Sequence, residues 1–78
     1  MDNEKASSLS VFIKEERDKR GLSQREFGEW VGISLPTVSM IENGAVVGRQ
    51  VLQRLAKALQ VDFLTVRNLN RNQKQRSE

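Results

Sequence analysis

The side chains of this chain that could carry covalent chemistry are few, and their spacing does not gather them. Histidine and cysteine are both absent, which removes the usual general base, the thiolate nucleophile and the common ligands of a zinc site. Glu15, Glu16, Glu26 and Glu29 are the carboxylates that could act as acid or base. Nothing collects them into an apolar cleft that would shift their pKa values, so they read as solvated helix faces. No glycine-rich phosphate loop occurs either. An enzyme is therefore not expected, and neither is a cofactor or a bound metal. What remains is the chemistry of recognition. Between Ser34 and Met40 the hydroxyls of Ser34, Thr37 and Ser39 alternate with the apolar Leu35, Pro36 and Met40. Hydroxyls donate or accept as the partner requires, and the apolar side chains suit methyl groups.

Charge by itself does not identify a partner. The formal net charge is +3, but Arg67, Arg71, Lys74 and Arg76 against Glu78 account for all of it, and up to Val66 acids and bases balance. Any anion-facing patch must arise from arrangement in space.

The elements that would position these residues are helices. The first is expected from about Ser8 to Arg20, with Leu9, Phe12 and Ile13 on its buried face and Gly21 to end it. Ser23 followed by Glu26 fits a capping box at the start of a second helix, whose apolar stripe is Phe27, Trp30 and Val31. Gly32 would close it in the left-handed conformation. Ser34 can cap a third helix, where Pro36 falls in the first turn and costs no intrahelical bond. Val38 and Ile41 face inward there, and Gly44 ends it. A short loop holding Ala45, Val46 and Val47 between two glycines leads to a fourth helix from about Arg49 to Gln60, which buries Leu52, Leu55, Ala56 and Leu59. Asp62 can cap a final short helix with Phe63, Leu64 and Val66. No strand pattern or repeat interrupts this series.

The expected fold is all-α, one compact domain of five helices over residues 8–69. Residues 1–7 read as a flexible segment and residues 70–78 as a basic, polar tail in which order fades. A domain of 78 residues buries only about 60% of its unfolded surface. Without disulfides or zinc, self-association is the expected reinforcement. The absence of cysteine, of an apolar signal segment and of a membrane span points to a cytoplasmic protein.

Two short helices that cross steeply impose specific demands on about twenty residues. Counting from Gln24, the fourth residue must be apolar and is Phe27; the fifth, at the crossing, must be small and is Gly28. The eighth, ninth and tenth must be apolar, tolerant of positive φ and apolar again, and they are Val31, Gly32 and Ile33. The fifteenth and eighteenth must pin the third helix, and they are Val38 and Ile41. Average residue usage makes a chance match of all seven in so short a chain on the order of one in a thousand.

The stretch resembles the lambda repressor and Cro family of helix-turn-helix DNA-binding proteins, with Leu22-Ser23-Gln24 opening the second helix and Ile41-Glu42-Asn43-Gly44 closing the third. The resemblance runs from about Leu9 to Val66. It implies a structural ion pair between Arg17 and Glu42. It implies that Gln24, at a helix N-terminus, holds a DNA phosphate, with Arg25, Asn43 and Arg49 as further phosphate contacts. Bases would be met by the outward residues of helix 34–43, namely Ser34, Leu35, Pro36, Thr37, Ser39 and Met40. Better-known members often carry glutamine, arginine or lysine at these places. Leu35, Pro36 and Met40 cannot make bidentate bonds to guanine or adenine but can touch thymine methyls, which implies T-rich half-sites and readout of DNA shape.

The resemblance further implies sequence-specific binding of double-stranded DNA by a homodimer on a pseudo-palindromic operator, with Val47, Phe63, Leu64, Val66 and Leu69 at the dimer interface. The function so implied is a transcriptional regulator, a repressor or autoregulator. The alternative is a protein-interaction module, an antitoxin gripping a toxin or a coactivator, with DNA binding secondary; a large exposed apolar patch away from the third helix would mark it. Trp30, Phe12, Val38, Leu52, Leu55 and Leu59 are expected to be core.

Overall fold

Ser8 accepts the Val11 N–H at its hydroxyl, a local cap that starts helix α1, Leu9–Arg20. The computed structural model describes residues 8–73, and within them four more helices follow: α2 Gln24–Val31, α3 Leu35–Glu42, α4 Arg49–Leu59 and α5 Phe63–Arg71. No strand occurs among the described residues. The fold is all-α with five helices, and each boundary has a local cause. Gly21 terminates α1 at φ 66°, and Ser23 with Glu26 forms a reciprocal capping box on α2. Asp62 stands at the N-cap of α5, but its side chain makes no capping bond. Its backbone carbonyl instead accepts the N–H groups of Thr65 and Val66. The fourth helix stops at Leu59, one residue short of the expected end, because Gln60 turns left-handed at φ 59°.

The five helices close around one core. Leu9 and Ile13 of α1, Phe27 of α2, Val38 and Ile41 of α3, Leu55 of α4 and Val66 of α5 are all fully buried. Burying a side chain of this size contributes about 1.5–3 kcal/mol; α4 adds Leu52, Ala56 and Leu59 to the same core.

Three expectations are corrected. Trp30 is not core: it is 45% exposed. Phe27 and Val31 already occupy the sector of α2 that faces α3 and α4, so the indole lies on the flank. There it stands edge-on to Phe27, 5.7 Å between centroids, beneath the Arg20 guanidinium. Val66 cannot serve a dimer interface, because it is fully buried within its own chain. Order also continues past Leu69: α5 runs to Arg71 and the Gln73 side chain is buried. The reason is specific bonding, described below, which composition does not reveal. The expected flexible segment 1–7 and positions 74–78 of the expected tail lie outside the described residues.

Candidate nucleic-acid interface

The turn between α2 and α3 sets the direction of α3. Gly32 adopts φ 95°, and its N–H and that of Ile33 both donate to the Gly28 carbonyl, at 2.7 and 2.9 Å. A non-glycine residue enters that conformation only at a cost. Gly28 answers a second constraint, that of space: a Cβ built there would stand 2.7 Å from the Ile33 carbonyl oxygen and 3.3 Å from Val38 Cγ2. The two helices can approach closely only because this side chain is missing. From α4, Arg54 Nη1 donates to the Gly32 carbonyl at 2.8 Å, which ties the turn to the body of the domain. Sequence reasoning did not single out Arg54, since nothing local links positions 32 and 54.

Ser34 caps α3: its Oγ accepts the Thr37 N–H at 3.2 Å and shares a 2.8 Å hydrogen bond with Thr37 Oγ1. The cap therefore orders two hydroxyls side by side on the leading turn. Val38 and Ile41 sit on the opposite side with no exposure at all. Of the six base-contact candidates, Ser34, Pro36 and Met40 are exposed, while Leu35, Thr37 and Ser39 are half-buried along the edges of the helix. Met40 is a large apolar side chain of α3 left 51% exposed. The only charge on α3 is Glu42, and it is buried, so the outward face is electrically neutral.

Glu42 organises the base of the interface. Arg17 Nε and Nη2 donate to its two oxygens at 2.7 and 3.0 Å, while Arg17 Nη1 reaches the Leu22 carbonyl at 3.0 Å. Gln24 Nε2 donates to Glu42 Oε1 at 3.0 Å. One bidentate arginine thus joins α1, the α1–α2 turn and the end of α3. Burial pushes the Glu42 carboxyl towards neutrality, but hydrogen bonds from Arg17 and Gln24, with the charges of Arg17 and Lys14, more than offset it and hold the carboxyl below its ordinary range. The same bonding raises the arginine against a smaller opposing effect of burial. The side chains are 20% and 4% exposed, so solvent screens the pair only weakly.

The phosphate candidates are less uniform. Gln24 is half-buried, with one amide hydrogen committed to Glu42 and the other without a partner among the described residues. Arg25 and Asn43 are exposed, Asn43 at the C-terminus of α3. Arg49 is exposed at the first turn of α4, with its guanidinium 5.8 Å from the Phe63 ring centroid. Among the dimer candidates, Leu64 is exposed, and Val47, Phe63 and Leu69 are half-buried.

Two further polar residues went unread in the sequence. Asn70 pairs with the Val47 backbone in both directions, each bond 3.0 Å. Gln73 Oε1 accepts the Ser10 N–H at 2.9 Å, while its Nε2 donates to the carbonyls of Ala45 at 2.6 Å and Ile41 at 3.2 Å. Both stand in an Asn- and Gln-rich stretch whose composition suggests solvation, so no local signal marks them. Together they clip the α3–α4 loop against α5 and the start of α1.

A helix-turn-helix family model matches residues 13–66, from the second turn of α1 to the first turn of α5. No significant match is found among curated proteins or among solved structures. No helix among the described residues is long and apolar enough to cross a membrane.

Proposed function

The chain belongs to the lambda repressor/Cro-type helix-turn-helix family of DNA-binding regulators, and on that premise we propose that it is a cytoplasmic homodimeric repressor or autoregulator that reads a pseudo-palindromic operator with α3. One observation carries this reading: Ser34, Pro36 and Met40 project from α3 uncovered, while Val38 and Ile41 anchor the helix from beneath. A helix so mounted fits the major groove, and two of them in a dimer would meet half-sites about 34–36 Å apart. Gln24 holds its phosphate with the amide hydrogen that Glu42 leaves uncommitted, aided by the positive end of the α2 dipole. Arg25, Asn43 and Arg49 flank it.

Specificity follows from a neutral reading face. Leu35, Pro36 and Met40 meet thymine methyls, and the paired hydroxyls of Ser34 and Thr37 adapt to donors or acceptors. Each base contributes modestly, and deformability of the operator supplies much of the discrimination. Dimerisation uses Leu64 and Phe63 with Val47 and Leu69. The test is in vitro selection of duplex DNA, followed by titration of the selected duplex at two salt concentrations with the stoichiometry read by sedimentation. The expected result is a T-rich inverted repeat bound by two chains, with affinity falling steeply with salt. A G-rich consensus, or a single chain per duplex, overturns the proposal.

A further inference from the structure

Trp30, expected inside, lies at the surface beside an open groove of about 520 Å3 between the end of α2 and α4. Its lining is Trp30, Val31 and Ala58, which are apolar, with Arg54 and Lys57, which are cationic. Arg54, Lys57 and Ala58 fall at helical spacing on one face of α4, and no ion pair holds either cation among the described residues. Arg20, stacked 4.9 Å from the indole centroid, is ion-paired with Glu16, which also holds Lys19. The groove therefore offers an aromatic wall, a small-residue floor and two cations with no carboxylate partner among the described residues. We propose that it docks an acidic peptide segment of a partner protein, one that places an apolar side chain on Trp30, Val31 and Ala58 and carboxylates on Arg54 and Lys57.

Two physical arguments favour a peptide over DNA at this place. An exposed tryptophan supplies a large rigid apolar contact at low entropic cost, and a phosphate backbone has no use for it. Trp30 also belongs to the last turn of α2, the end away from the proposed phosphate contact. Gln24 stands at the other end of the same helix, about 9 Å away along the axis at 1.5 Å per residue. None of the five lining residues is among the proposed DNA contacts. The protein-partner alternative that the sequence leaves open gains a definite surface here, and it stands or falls independently of the DNA reading.

The test is selection from a random dodecapeptide display library on the full chain. Enriched peptides are then synthesised and titrated against the intrinsic fluorescence of Trp30, the single tryptophan. The expected consensus combines Asp or Glu with Leu or Phe, and its binding shifts the Trp30 emission to the blue with saturation. Lys57→Glu should weaken that binding at least tenfold, and Trp30→Ser should abolish enrichment of the consensus. Both should leave operator affinity within about twofold. Arg54 is left intact because it also bonds Gly32. A basic or absent consensus, binding indifferent to Lys57→Glu, or an equal loss of operator affinity in Lys57→Glu overturns the proposal; the last outcome assigns the groove to the DNA backbone.

Discussion

Gln24 donates to Glu42 at 3.0 Å, so the residue that opens α2 is held by the residue that closes α3. These two positions are 18 apart in the chain, yet they share a carboxylate with Arg17. The consequence is mechanical. The proposed phosphate contact and the far end of the reading helix cannot shift independently, because one buried charge orients both.

Replacing Glu42 by Gln keeps the volume and removes the charge that Arg17 and Gln24 share. Breaking a buried pair on one side costs about 3–5 kcal/mol; the partial exposure of Arg17 brings the expected loss nearer about 2 kcal/mol. Melting should fall by on the order of 10 °C, and operator affinity should fall with it. Unchanged melting and unchanged affinity would remove the pair from the account.

Acid should unfold the protein through the same carboxylate. Glu42 and Glu16 both titrate below the ordinary value of 4.5 in the fold. For Glu16, burial is the largest single influence and acts upward, but the hydrogen bonds from Arg20 and Lys19 together with their charges outweigh it. In acid the unfolded chain then binds more protons than the folded one, so the stabilisation is present above the unfolded pKa of about 4.3 and lost as pH falls through the lower folded values. Melting temperature should be flat above about pH 5 and drop below about pH 4. The Glu42→Gln variant should show a shallower acid limb, with Glu16 supplying what remains.

Gly28→Ala tests the crossing of α2 and α3. Alanine favours helix by about 1 kcal/mol, but its Cβ would meet a backbone oxygen at 2.7 Å, which no rotamer can relieve. Overpacking of this kind costs about 1–3 kcal/mol. The expected outcome is a lower melting temperature and at least a tenfold loss of operator affinity, since α3 must move outward or tilt.

Gln73→Ala should destabilise a domain whose sequence suggests no role for that residue. It removes the partner of the Ser10 N–H and the Ala45 carbonyl, while the Ile41 carbonyl keeps the Gly44 N–H, at a cost of about 2 kcal/mol. Thermal melting of this variant beside Lys74→Ala separates a specific clip from a general effect of the tail.

The neutral reading face makes a sharp prediction about specificity. Met40→Arg would place a guanidinium where only methyl contacts are proposed, and selection should then return guanine at one position of each half-site. Arg25→Ala should instead weaken binding evenly across sequences and lower the salt slope by about one.

What the amino-acid order determined by itself was local. Ser23 with Glu26, the glycines at 21 and 32 and the hydroxyl of Ser34 mark helix ends through bonds that span a few residues, so they can be read directly from neighbours in the chain. The small residue at position 28 was legible for a related reason, because the crossing geometry fixes it relative to Gln24. Tertiary packing alone decided that Trp30 lies outside and Val66 inside, since both sit at helical spacing with true core residues and only the placement of neighbouring helices tells the sides apart. It alone decided the fate of Gln73, whose amide reaches Ser10 across 63 positions. A polar side chain near the end of a chain carries no local mark of the backbone groups it will meet, because those groups come together only after the five helices have closed.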